Sequence, residues 1–301
     1  MSNALKIGII GLDTSHATAF TQLLNDAAQQ YHVPGGKVVV AFPGGSPDFE
    51  LSISRVQGFT DKLRDEYGVQ IVDSVEAVAK QSDAILLESV DGRVHLEQFA
   101  KIAPFGKPVF IDKPLAVASE DARQIAALAA KYGVAVMSAS ALRYAEGLTE
   151  VLGNAEKGAV IGVDAFGPMA IQPTQPGFFW YGIHTVEMVF AVLGKECVDV
   201  TVTTNDDHDI IVGRWADGRL ATLRGNRKNN NSFGAVVHRE KGSQFVDVYS
   251  HPKPYYASLL ERIIPLFQGK GAAIDFAESI AVIRFIEAAN ESRDSGKTVA
   301  L

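Results

Sequence analysis

The sequence predicts an α/β protein in two parts. A doubly wound parallel sheet is expected over residues 1–142 and an α+β domain with a mostly antiparallel sheet over residues 143–301. Short apolar runs alternate with amphipathic segments through the first part, and strands alternating with helices imply right-handed crossovers and a parallel sheet. The second part changes to closely spaced strand-like runs, two of them joined by Asp217-Gly218, a strong hairpin signal. The length of 301 residues is also about twice that of a common domain.

Taken in order, residues 5–10 form an apolar run that closes on Gly11, as a buried parallel strand does. From Thr14 the period changes: Phe20, Leu23, Leu24, Ala27, Ala28 and Tyr31 recur at helical spacing, predicting a helix that runs to the stop at Pro34-Gly35-Gly36. Residues 37–42 carry three consecutive valines and read as the second strand, followed by a polar loop and a helix over 57–67. Residues 84–87 and 108–111 are two more buried strands, separated by a helix over 95–103. Ser119 caps a helix that Gly133 stops, and residues 134–137 form a strand. Beyond Tyr144, strands are expected at 198–203, 210–214, 220–223, 235–239 and 244–249. A helix opens at Tyr181 and stops at Gly194, and a closing helix spans 276–292.

Composition narrows the function classes. With 47% hydrophobic and 21% charged residues the chain is globular rather than disordered. A charge of −7, from 28 basic and 35 acidic residues, excludes the basic face of a general nucleic-acid binder and gives no reason to expect a membrane partner. Cys197 stands alone, so neither an internal disulfide nor a thiolate-built metal site is available, and no metal is expected. No apolar run reaches the ~18 residues of a membrane span. Residues 1–6 lead into the first strand with no leader pattern, so a cytoplasmic location is expected.

Four places could carry chemistry. Gly8 to His16 lies between a strand and a helix, where a Rossmann fold puts its phosphate loop, but G-x-G-x-x-G register reads Gly11, Asp13, His16. An Asp13 carboxylate facing a pyrophosphate would repel it by roughly 4 kcal/mol at ~4 Å and an effective dielectric of 20. Thr14 and Ser15 offer hydroxyl donors at a helix N-terminus, an anion site in itself; alternatively Asp13 or Thr14 simply caps the helix. At the end of the second strand, Pro43-Gly44-Gly45-Ser46 replaces the usual ribose carboxylate. Either it is a tight surface turn, the preferred reading, or with Arg55 it holds a ribose 2′-phosphate. Asp112-Lys113-Pro114 follows a buried strand at the edge where open α/β sheets bind ligands, so Lys113 presents an ammonium there or pairs with Asp112 or Glu88. His184 falls in the first turn of a helix, where the dipole disfavours the imidazolium and keeps the ring available as a base; a satisfied core histidine is the plainer alternative. His16 and His95 are expected to make local hydrogen bonds.

Together these segments resemble the Gfo/Idh/MocA family of NAD(P)-dependent oxidoreductases, over essentially the whole chain. The resemblance implies an N-terminal Rossmann domain with NAD or NADP as cofactor, held by Gly8, Gly11, Leu12, Asp13, Thr14, Ser15, Ser89 and Lys113. Asp112-Lys113-Pro114 is similar to the family's Glu-Lys-Pro signature, whose lysine is catalytic, and His184 matches its catalytic histidine. Arg143, in Ala141-Leu142-Arg143-Tyr144, joins Tyr181 and Glu187 as implied substrate contacts. The family's Asp-x-x-x-His pair would put Asp at position 180, where this chain has Trp180. The implied activity is oxidation of a hydroxyl on a sugar, polyol or related small molecule, by a homodimer or homotetramer. The same residues also suit a redox-neutral, NAD-using sugar lyase or hydrolase. A catalytically silent ligand-binding or regulatory protein is the reading from another class.

Overall fold

A computed structural model describes residues 4–301. Residues 1–3, part of the N-terminus read above as leader-free, lie outside the described residues. The chain divides into two compact units. The first holds residues up to Ala116, Glu120–Ala139 and Tyr256–Phe276, and the second Val117–Ser119, Ser140–Tyr255 and Ala277–Leu301.

The first unit contains β1 (Leu5–Ile10), α1 (Ser15–Asn25), β2 (Gly36–Phe42), α2 (Glu50–Tyr67), β3 (Gln70–Ile71), α3 (Val75–Gln81), β4 (Ala84–Leu87), α4 (His95–Ile102), β5 (Val109–Asp112), α5 (Ser119–Tyr132) and β6 (Val136–Ala139). Its six strands are all parallel, in the order β3-β2-β1-β4-β5-β6, so the chain direction across the sheet reverses between β1 and β4. Ile7, Ile9, Ile10 and all of β4 are fully buried, which is why these strands read as unbroken apolar runs. Each such side chain contributes about 1.5–3 kcal/mol on burial. Gly8 lets α3 pack closely: a Cβ there would lie 2.3 Å from a Val78 methyl.

α1 ends nine residues short of the expected proline stop. The side-chain amide of Asn25 makes two hydrogen bonds of 2.8 Å to the backbone of Val38 in β2, as a neighbouring strand would, and this pairing ends the helix. Ala27, Ala28 and Tyr31 therefore lie in turns. α2 starts earlier than its periodicity suggests, at Glu50.

The second unit continues with α6 (Glu146–Gly153), β7 (Val160–Pro168), α7 (Gly182–Leu193), β8 (Cys197–Thr204), β9 (His208–Trp215), β10 (Leu220–Asn226), β11 (Gly234–Arg239) and β12 (Gly242–Asp247). α8 (Tyr255–Phe267), α9 (Phe276–Ser295) and β13 (Val299–Ala300) complete the chain, and most of α8 belongs to the first unit. The second sheet runs β12-β11-β7-β10-β9-β8-β13 and is antiparallel except for the β7–β10 pair. The Asp217-Gly218 hairpin joins β9 to β10, with Gly218 at φ +90°. β7, an inner strand between β11 and β10, has no counterpart in the sequence reading, because Gly162, Asp164 and Gly167 interrupt its apolar alternation. α7 packs on β7 and β10, and its Phe190 meets Trp215 of β9 and Phe285 of α9 edge-on. No helix among the described residues is long and apolar enough to cross a membrane.

Candidate functional site

The loop after β1 is tied down on three sides. Gly11 sits at φ +93°, and a Cβ on it would lie 2.3 Å from the Ser89 amide nitrogen, so only glycine lets the β1 and β4 ends approach this closely. The Gly11 and Leu12 amides donate to the carbonyls of Phe42 and Pro43 at the end of β2, at 3.0 and 2.7 Å. Thr14 is the helix cap, accepting from the His16 amide. The Asp13 carboxylate turns inward, accepting from the Ser52 hydroxyl at 2.6 Å and the Val90 amide at 3.1 Å. It is 1% exposed. Burial pushes its carboxyl above the usual range, against the hydrogen bonds from Ser52 and Val90. The repulsion expected of an outward Asp13 thus gives way to a clamp: Ser52 also accepts from the Ser46 amide, so one carboxylate links the loop, α2 and the end of β4.

Glu88, Ser89, Asp112 and Lys113 follow the ends of β4 and β5, and His16 projects from the first turn of α1 towards two of them. His16 Nδ1 lies 3.0 Å from Asp112 Oδ2 and 3.7 Å from Glu88 Oε2. Burial alone would depress this imidazole, but the charge and hydrogen bonding of Asp112, with Glu88, outweigh it and hold the ring up at about 9. Burial, then the charge of Asp112, pushes the Glu88 carboxyl up. Burial opposes ionisation of Asp112 as well, yet His16 and Lys113 hold it below the usual range. Lys113 is buried, with Nζ 3.9 Å from Asp112 Oδ2, and the Lys113–Pro114 peptide is cis. His95 braces this turn, its Nδ1 facing the Pro114 carbonyl at 2.9 Å and its Nε2 the Ser89 carbonyl at 2.7 Å. Ser89 spends its hydroxyl on Gln98, at 2.9 Å. The local hydrogen bonds expected of His16 and His95 are replaced by distant partners: His95 meets the Pro114 and Ser89 carbonyls, and His16 faces two carboxylates that its position in the motif did not reveal.

Beside the end of β2 opens a cavity of about 360 Å³, lined by Phe42, Gly44, Gly45, Asp73, Glu76 and Lys101 among others. Asp73 supplies, from the loop ahead of α3, a carboxylate that the β2 end itself lacks. Ser46 and Arg55 do not line this cavity: Ser46 is buried on Ser52, and the Arg55 charge acts on Asp13.

In the second unit, His184 is the third residue of α7. Its Nδ1 lies 2.7 Å from the Ser140 hydroxyl, and its ring meets Tyr181 and Phe233 edge-on at 5.7 and 5.6 Å. Ser140 Oγ also accepts from the Leu142 amide at 3.2 Å. Arg143 and Glu187 face each other instead: Arg143 Nε donates to Glu187 at 2.7 Å, and its NH2 group reaches Glu278 at 2.5 Å. Arg143 and Glu187 are buried and Glu278 is partly so; burial pushes Glu187 up while Arg143 holds it down, burial winning. Position 180 carries a buried tryptophan, so the partner of the His184 ring is Ser140, which the sequence reading missed. Its only signal is its place ahead of Ala141-Leu142-Arg143-Tyr144.

The first unit fits a dinucleotide on two counts: a loop that admits only glycine at position 11, and a cavity at the β2 end with a carboxylate for ribose hydroxyls. Residues 5–140 match the GFO_IDH_MocA family model, an oxidoreductase family with an NAD-binding Rossmann fold. No curated protein matches the chain by sequence. Among solved structures, scyllo-inositol dehydrogenase from Lactobacillus casei with bound NAD(H) and scyllo-inositol is similar at TM-score 0.80 and 14% identity, over 99% of both chains. Myo-inositol dehydrogenase from Lactobacillus casei, in complex with NAD(H) and myo-inositol, gives 0.78 at 17% identity, over 99% of this chain and 97% of that one. GenD2 from gentamicin A biosynthesis, in complex with NAD, gives 0.78 at 18% identity, over 100% and 97%. At such identities the likeness establishes the fold.

Proposed function

Because residues 5–140 match the model of an oxidoreductase family with an NAD-binding Rossmann fold, we propose that the chain is an NAD-dependent oxidoreductase of the Gfo/Idh/MocA type, acting on a hydroxyl of a sugar, polyol or related small molecule. The observation that carries this reading is Lys113: a buried lysine directly after β5, in a turn braced by His95, in the unit that holds the Gly11 loop. Gly8, Gly11, Leu12, Thr14, Ser15 and Ser89 form or flank that loop, and Asp13 acts as its clamp.

NAD, held by the Gly11 loop, would supply the acceptor for the hydride that leaves the hydroxyl-bearing carbon. Lys113 donates a hydrogen bond to the substrate oxygen and stabilises negative charge on it, a preorganised electrostatic role. His184 takes the hydroxyl proton on Nε2, and the carbonyl product forms. That assignment needs the Nδ1 proton to point at Ser140. Ser140 Oγ has two lone pairs, one for the Leu142 amide and one for Nδ1–H, so it can hold the ring in this tautomer. Tyr181 packs against the His184 ring, while Arg143 and Glu187 shape the substrate pocket through their ion pair. Asp73 in the cavity, with Arg55 engaged at Asp13, favours NAD over NADP.

The outer face of the second sheet suits assembly of copies of this chain. Strand register lines up Phe245, Val236, Asp164, Thr222 and Val212 in one row, with Phe245 64% exposed. Light scattering on the purified chain should give a dimer or tetramer mass.

Fluorescence titration with NADH and NADPH tests the cofactor reading. Saturable binding of NADH, tighter than that of NADPH, is expected; binding of neither overturns the enzyme and leaves a ligand-binding or regulatory protein. With a turned-over polyol, Lys113→Ala should cut kcat by about 10²–10³ while the unfolding midpoint stays put. Product formed without net change in cofactor absorbance would move the reading to a redox-neutral lyase or hydrolase.

A further inference from the structure

We propose that His16, Glu88 and Asp112 form a binding site for one divalent transition-metal ion, with Zn²⁺ the best match. The donor set is one imidazole nitrogen and two carboxylates, whose nearest ligand atoms all lie within 4.8 Å of one another, on three buried residues. Three donors at about 2.0–2.2 Å from a common ion stand roughly 3.0–3.5 Å apart. His16 Nδ1 is 3.0 Å from Asp112 Oδ2 and 3.7 Å from Glu88 Oε2, so closing the site takes a small rotation of the Glu88 carboxylate.

The second observation is what these atoms lack. His16 Nδ1, Asp112 Oδ2 and both Glu88 oxygens are buried without a well-aligned hydrogen bond, and Glu88 is 0% exposed. A buried carboxylate without hydrogen bonds is costly, and pairing His16 with Asp112 alone leaves Glu88 unsatisfied. One dication, taking the place of the proton on His16 Nδ1 and releasing it to solvent, faces both carboxylates and engages all three side chains. The ligands sit on stiff supports: the ends of two central strands and a helical first turn. The His16 ring is fixed between Phe20 at 5.6 Å and Tyr256 at 4.9 Å. An imidazole with two carboxylates and an open position suits zinc better than magnesium, which prefers an all-oxygen octahedron. Lys113 Nζ, 3.9 Å from Asp112, competes for that carboxylate and moderates the affinity.

The site does not depend on the redox reading, and its test needs no substrate. Full-length protein is stripped with chelator and titrated calorimetrically with ZnCl₂ and, separately, MgCl₂, with the melting temperature followed in parallel. One-to-one Zn²⁺ binding that raises the melting temperature is expected, at least tenfold weaker in Glu88→Gln, with no saturable Mg²⁺ binding. His16→Asn is measured in the same way, so that one misfolded variant leaves the other to decide. Absence of saturable Zn²⁺ binding, or equal binding by wild type and the folded variants, overturns the site in favour of a purely ionic cluster.

Discussion

The loop after β1 and the start of α7 both depart from the pattern of the family that the sequence resembles, and the chain accommodates the two departures in opposite ways. At the loop, carboxylate and imidazole stand where small residues are usual, and each added polar group is absorbed by a partner from elsewhere: Asp13 by Ser52 and Val90, His16 by Asp112 and Glu88. At α7 a carboxylate is missing, and Ser140 takes over the histidine ring from another segment. An added buried charge demands several partners, because leaving it unpaired costs more than any one contact returns. A lost partner demands only one replacement donor or acceptor. The loop is therefore held by a network of added partners, while at α7 the Ser140 hydroxyl meets the histidine ring where the carboxylate is missing.

That contrast can be broken or sharpened by mutation. The largest stability effect is expected where one cation serves two carboxylates: Arg143→Met strands Glu187 and Glu278 and should cost about 3–5 kcal/mol in denaturant unfolding. A cost within 1 kcal/mol would mean that the triad is wetter than it looks. Asp13→Ala leaves the Ser52 hydroxyl and Val90 amide unpaired and should cost about 1–3 kcal/mol, with NADH binding weakened through the displaced loop. Ser140→Ala removes the hydroxyl that meets His184 Nδ1; about a tenfold loss of kcat with a displaced pH–rate profile is expected, against little change in stability. Rescue by Ser140→Thr would identify the hydroxyl as the positioning group. Cys197 is a control in β8: burial pushes its thiol up to about 12, so it stays neutral below that pH. Native protein at pH 8 should react with iodoacetamide at least tenfold more slowly than unfolded protein, because the thiolate is the nucleophile.

Much of the architecture was legible because it rests on local, repetitive signals. β4, β5 and the second half of β1 are buried and so almost purely apolar, and the β9–β10 hairpin has its Asp-Gly turn. The elements that escaped are those whose reason is non-local. Nothing near Asn25 announces that its amide will pair with Val38 and end α1 early. β7 is an inner strand only because β10 and β11 flank it, and its glycines and aspartate hide the strand period.

The candidate site divides along the same line. Residue types and their positions along the chain determined by themselves that Gly11, Lys113 and His184 end or open elements where ligands bind, since strand ends and helix starts are written in local sequence. Where Asp13 points, which groups surround His16, and what holds the His184 ring were decided only by tertiary structure. Those contacts join residues 39 to 96 positions apart, and the energy of a buried charge or hydrogen bond depends on neighbours that no local window contains.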